Sequence, residues 1–121
     1  MLGAKITAIG SYVPAQRLTN ADLEQMVETN DEWIVQRTGI RERRISRFDE
    51  FTSDLCVAAV QNLIERYGKS VSDVDMVIVA TSTPDFTFPT VSSLIQHRLG
   101  IPMTSGTMDL SAACAGFVYG L

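Results

Sequence analysis

Apolar positions recur along this chain with two periods, and the period switches several times. In KITAIGSYVP, residues 5–14, Ile6, Ala8 and Val13 are apolar and Pro14 closes the run, which predicts a first strand. LTNADLEQMVET, residues 18–29, predicts a helix with Thr19 or Asn20 as its cap and acids in the first turns. NDEWIVQRTG predicts a short second helix, capped by Asn30 or Asp31 and stopped at Gly39. The clearest helix is FTSDLCVAAVQNLIERYG, with Thr52 or Ser53 as cap and Gly68 as stop. Leu55, Ala59, Val60, Leu63, Ile64 and Tyr67 form one face of it, and Cys56 lies beside that face.

The second half of the chain changes period again. In DMVIVATST the run Met76 to Ala80 is continuously apolar, which predicts a strand buried on both faces, as in parallel sheets. PDFTFPT is a loop whose backbone is fixed by Pro84 and Pro89 around Phe86 and Phe88. Thr90 caps VSSLIQHRLG, a helix closed by Gly100. GTMDLS predicts another buried strand, and ACAGFVYGL opens a last helix. Helices and strands alternate, so the class is α/β. No repeat, low-complexity stretch or linker interrupts residues 1–121, which are expected to form one unit. The last helix has neither a cap nor a polar face over its final turn, so the chain is expected to continue in a parent protein.

Composition narrows the function classes. A chain of 121 residues, 45% hydrophobic and 20% charged with net charge −4, can bury a core and is no disordered or collagen-like sequence. No apolar run approaches the ~20 residues of a membrane span, and the N-terminus has no signal-peptide pattern. Two cysteines make no disulfide framework, so free thiols and a cytoplasmic location are expected. One histidine and no His/Cys cluster exclude a zinc site. Charge is uneven: Asp22, Glu24, Glu28, Asp31 and Glu32 precede Arg37, Arg41, Arg43, Arg44 and Arg47. Five arginines without interleaved aromatics, on an acidic chain, do not make a nucleic-acid surface. Phosphates or an acidic protein suit them better, and some will be solvated or paired with the acidic helix before them.

Chemistry points to Cys114. It falls where a strand gives way to a helix, and a thiol there can serve as a nucleophile. Ala112, Ala113, Ala115 and Gly116 leave room for a bulky thioester, as at the nucleophile elbow of other α/β enzymes. The competing reading is a small buried hydrophobe, as free cysteines often are. Cys56, midway along an amphipathic helix, reads as structural. A nucleophilic cysteine usually needs a base, and the only histidine, His97, reads as a surface residue.

The motifs GSYVP, LTNADLEQMVETNDEWIVQRTGIRERRI, VIVATSTPDFTFP and DLSAACAGFVYGL together resemble the N-terminal half of a β-ketoacyl-acyl-carrier-protein synthase III. The resemblance runs from Ile6 to Leu121, and NDEWIVQRTGIRERR together with ACAGF makes it specific. It implies a thiolase-like fold, with this chain supplying most of the first βαβαβαββ half and ending in the helix after the nucleophile. It implies a transferase that initiates type II fatty acid biosynthesis. Cys114 would accept an acyl group from acyl-CoA, and the thioester would then condense with malonyl-acyl carrier protein. Coenzyme A is a substrate there, with no cofactor permanently bound.

The resemblance also assigns positions. Trp33 would stack on adenine, Arg37 would meet the nucleotide or phosphate, and Thr29 matches a weaker contact. Phe88 would reach across a homodimer interface into the partner's acyl pocket. From the residues alone, Trp33 reads as a core anchor and Phe88 as a locally packed loop aromatic. The family's catalytic histidine and asparagine and an oxyanion-hole glycine belong to the second half, so this chain alone is expected to be inactive in condensation. The alternatives are other thiolase-fold CoA acyltransferases, such as hydroxymethylglutaryl-CoA or chalcone-type synthases, and a non-catalytic fragment or interaction module.

Overall fold

The computed structural model describes residues 3–121. They form two compact units, one of residues up to Tyr12 with Phe51–Leu121, the other Val13–Glu50. The sequence reads as one unit because no linker composition separates them.

In that smaller unit, β1 (Gln16–Thr19) pairs antiparallel with β2 (Glu42–Ile45). Neither strand is predicted by the sequence, because both are polar and half-solvated rather than apolar. Cross-strand charge marks the pair: Arg17 lies 3.4 Å from Glu42. Helix α1 (Asn20–Glu24) is capped by Thr19, whose Oγ1 accepts from the Asp22 amide at 3.2 Å, while Asp22 Oδ2 accepts from the Thr19 amide at 2.8 Å. The Thr19 hydroxyl, donating to Asp22 Oδ2 at 2.7 Å, and then the Thr19 amide hold the Asp22 carboxyl below the usual carboxylate range. The helix expected over 18–29 stops at Glu24. Met26 and Val27 have no core to enter and remain exposed, and Glu24 Oε1 instead accepts from the Asp31 amide at 2.7 Å. Helix α2 (Asp31–Thr38) follows its sequence signals: Asn30 Oδ1 accepts from the Trp33 amide, and Gly39 closes the helix at φ 71°.

Asn20 is the hub of this unit. Only 2% exposed, it donates through Nδ2 to Asp31 Oδ1 at 2.7 Å and to the Ile40 carbonyl at 2.9 Å. Its Oδ1 accepts from Arg43 Nη1 at 2.9 Å. One amide side chain therefore joins α1, α2 and β2.

The larger unit is built on α3 (Thr52–Tyr67), β3 (Met76–Ala80), α4 (Val91–Leu99), β4 (Gly106–Leu110), a single 3₁₀ turn (Ala113–Ala115) and α5 (Gly116–Gly120). Strands β3 and β4 are parallel, with Val79 opposite Asp109 and Ala80 opposite Leu110. Val57, Val79, Val91, Ile95 and Ile101 form the buried core, and Cys56 packs against it. On α3 the most buried apolar side chain is Val57, outside the predicted face, whereas Tyr67 is exposed and carries the Arg66 guanidinium 5.5 Å above its ring. The prediction that β3 is buried on both faces is corrected. Val79 is 7% exposed in the core, but Ile78 is 40% exposed on the other face, toward α5.

The strand expected over 5–14 does not form, since residues 3–14 join no ladder. The segment is held against α3 instead: the Ser11 amide donates to Asn62 Oδ1 at 3.1 Å. A Cβ on Gly10 would collide with the Ala59 carbonyl oxygen and lie 2.6 Å from Leu63 Cβ. Gly10→Ala should therefore peel this segment away and cost about 1–3 kcal/mol. Amide exchange at Ser11, read beside the unfolding midpoint, checks both effects.

The N-terminus of α3 also departs from its sequence signals. Phe51, not Thr52 or Ser53, is the cap residue, and its amide donates to Asp54 Oδ2 at 2.8 Å. Thr52 Oγ1 donates to the Thr83 carbonyl, and the Ser53 amide and hydroxyl both donate to Asp85, at 2.9 and 2.6 Å. Hydroxyls one or two residues inside the helix are thus diverted to the loop after β3. No helix among the described residues is long and apolar enough to cross a membrane.

Candidate functional site

Cys114 lies on the 3₁₀ turn between β4 and α5. Two features sharpen this turn. Ala113 adopts φ 45°, the left-handed region that costs a non-glycine residue about 1–2 kcal/mol. Gly116 is buried, and a Cβ on it would lie only 3.1 Å from Ala80 Cβ, so a larger residue there would push α5 off β3. The Ala115 amide donates to the Ala112 carbonyl at 3.1 Å and closes the turn. The result is an exposed thiol, so the reading of Cys114 as a buried hydrophobe is overturned. Beside the turn, Ile78, Ala80, Gly116, Phe117 and Gly120 line an apolar hollow of about 210 Å³.

Cys56 is the opposite case. It is half-buried, and its thiol is pushed up first by burial and then by the negative charges of Asp85 and Asp109. Such a thiol keeps its proton and is a poor nucleophile. His97 is exposed in the last turn of α4, as expected of a surface residue.

Phe88 stands on the loop between β3 and α4, followed by a cis bond to Pro89. It is 82% exposed, so it does not pack locally as the loop composition suggests. Trp33 is likewise no core anchor, being 55% exposed on α2. With Glu28, Thr29 and Asn30 it lines a shallow depression of about 260 Å³. That is below the roughly 300–1,000 Å³ of a pocket for a drug-sized ligand. The Glu28 carboxylate in its lining disfavours an anion there. Arg37, one helical turn beyond Trp33, supplies the positive charge. Thr29 and Trp33 thus come together with Arg37 alongside in the smaller unit, while Cys114 and Phe88 belong to the larger one.

The basic run divides by partner. Arg43 bonds Asn20, Arg44 donates to the Pro14 carbonyl at 2.7 Å, and Arg47 grips Asp49 through two contacts of 2.9 Å. The Asp49 carboxyl is held low by Arg47. Arg37 and Arg41 are exposed and enter no ion pair among the described residues.

Two carboxylates escape the sequence reading. Asp85 accepts from the Ser53 amide in the first turn of α3, as described above. Asp109 supplements the Thr90 cap of α4, accepting from the Val91 and Ser92 amides at 2.7 and 2.8 Å. The available signal for Asp109 is an acid inside an otherwise apolar strand, which must find donors to be buried at all.

No family model matches the chain. Along its length it is similar to β-ketoacyl-[acyl-carrier-protein] synthase III 2 of Halalkalibacterium halodurans, 70% identical over 118 residues. The protein of that name from Bacillus subtilis is 57% identical over 121 residues. These matches cover 98% and 100% of this chain but 35% and 37% of the relatives. The chain therefore spans little more than a third of their length, which fits their N-terminal part. The crystal structure of β-ketoacyl-[acyl carrier protein] synthase III from Thermus thermophilus superposes with TM-score 0.89 at 48% identity, over 96% of this chain and 36% of that one. The Xanthomonas campestris protein OleA, 19% identical with TM-score 0.79, shares the fold alone. The fold is thus the thiolase-like α/β fold of these synthases.

Proposed function

We propose that this chain is the N-terminal, nucleophile-bearing part of an enzyme that starts type II fatty acid synthesis. The Cys114 thiolate attacks the carbonyl carbon of an acyl-CoA thioester. A carbon–sulfur bond forms to Cys114, the bond to coenzyme A breaks, and the departing thiolate takes up the proton that Cys114 gave up. In the complete enzyme the acyl group then passes to the carbanion formed by decarboxylation of malonyl-acyl carrier protein. That step uses a histidine and an asparagine outside this chain, so the chain alone releases no carbon dioxide. The observation that carries the reading is the strained turn exposing Cys114, in a chain whose relatives bear the synthase name.

Other assignments follow from the same reading. Trp33 stacks the adenine in its shallow depression, Thr29 borders it, and Arg37 meets the nucleotide phosphates through its charged fork. Phe88, exposed on its loop, reaches the partner's acyl pocket in a cytoplasmic homodimer. Trp33→Ala and Arg37→Ala should each raise the half-saturating acetyl-CoA concentration about tenfold, the equivalent of ~1.4 kcal/mol. Acetylation of Cys114 should still reach the same final extent. Intact mass against acetyl-CoA concentration tests this, and an unaltered protein that never gains the mass of an acetyl group sinks the reading.

One observation favours a second reading, an interaction module. Met76, Ile78, Met108, Phe117, Val118 and Tyr119 are all exposed on the larger unit, and apolar surface of this kind promotes association. Self-association that persists unchanged in Cys114→Ala, without any acetyl transfer by the unaltered protein, would favour the module.

A further inference from the structure

The N-terminus of α4 has no acid in its first turn. Its donors are nonetheless satisfied. Thr90 Oγ1 accepts from the Ser93 amide at 3.3 Å, and the Val91 and Ser92 amides go to the two oxygens of Asp109, eighteen and seventeen residues away. Both of those residues are fully buried, so neither amide can turn to water instead. Asp109 is the last residue but one of β4, opposite Val79. Leu110, next to it, accepts from the Thr81 amide at 3.1 Å. The path from Asp109 to Cys114 is then only Leu110, Ser111, Ala112 and the left-handed Ala113.

The turn is therefore clamped at both ends. Upstream, Asp109 fixes the strand end to α4; downstream, Gly116 seats α5 against Ala80 at a separation where even a methyl group would be tight. The φ of 45° at Ala113 is held between these clamps, and a strained residue persists only where its surroundings over-determine it. The same carboxylate reaches the other candidate loop, because Thr90, the cap of α4, is two residues after Phe88.

We infer that Asp109 is a positioning residue, which holds the Cys114 turn in its strained form and ties it to the loop bearing Phe88. This rests on Cys114 being the acyl acceptor. Asp109 touches no reacting atom; it acts through the backbone. In Asp109→Asn one oxygen becomes an amide nitrogen that cannot accept, and its hydrogens face a buried N–H.

The test has two arms on the full chain. In the first, single-turnover acetylation of Cys114 by acetyl-CoA is followed by intact mass. Asp109→Asn should slow the saturated rate by about tenfold or more, as small misplacements of a nucleophile do. Half-saturation should stay unchanged, since the proposed coenzyme contacts, Trp33 and Arg37, are elsewhere in the sequence. In the second arm, amide exchange is read without acyl-CoA. The Cys114 to Phe117 amides should exchange at least about tenfold faster, with α3 unchanged. Equal acetylation rates, or a shift in half-saturation alone, overturn the inference. So does general unfolding, seen as Cys56 alkylated as fast as in denaturant, because Asp109 would then serve the whole fold. If the unaltered protein takes no acetyl group, the acyl-acceptor reading fails by itself. The exchange arm then decides whether Asp109 holds the turn, and unchanged exchange overturns it.

Discussion

Replacing Cys114 with alanine is expected to abolish acetyl transfer outright, a loss on the order of 10³-fold or more in the rate of adduct formation. Cys56 is the only other thiol, and it is half-buried with its proton held by desolvation and by the charges of Asp85 and Asp109. The fold should be indifferent to the change. The Cys114 side chain is exposed, and alanine already occupies positions 112, 113 and 115 around it. Intact mass after incubation with acetyl-CoA gives the first result, and an unchanged thermal midpoint gives the second. An acetyl adduct of normal yield in Cys114→Ala would transfer the nucleophile's role to another residue.

Asn20→Ala should have the largest effect on stability, about 2–4 kcal/mol, because it strips partners from several polar groups at once. Its Nδ2 and Oδ1 serve Asp31, the Ile40 carbonyl and Arg43 within 2.9 Å. Alanine leaves a cavity where the buried amide was, and the Arg43 guanidinium loses a short acceptor. Leu18 offers only a longer contact of 3.4 Å in exchange. The loss should show as faster amide exchange across β1, α2 and β2, with α3 and β3 protected as before. Equal loosening of α3 would mean that Asn20 supports more than its own unit.

The candidate site was partly legible because some of its features are local. NDEW carries its own cap, so α2 and the side of it that bears Trp33 and Arg37 follow from adjacent residues. The small residues around Cys114 likewise announce a tight turn after a strand. Burial was not legible, and it reversed two readings. Trp33 is large and apolar, which favours a core anchor, and Phe88 stands in a proline-flanked loop that favours local packing, yet both are exposed. The polar strands β1 and β2 were missed for the same reason. Their stability comes from each other and from Asn20, and no periodic apolar face marks them.

By itself, the sequence determined what depends on neighbours within about one helical turn. It determined the α/β alternation, α2 to α4 as helices, the three glycine stops at Gly39, Gly68 and Gly100, and Cys114 as the candidate nucleophile. The folded chain alone shows that segment 5–14 has no strand partner, which face of β3 is covered, and which distant carboxylates reinforce the starts of α3 and α4. Asp85 and Asp109 accept from first-turn amides of α3 and α4, from a loop and a strand far along the chain. A hydrogen bond depends on distance in space and not on separation in sequence. The carboxylates that hold these two helix starts, and with them the turn that bears Cys114, are therefore fixed only when the chain has folded.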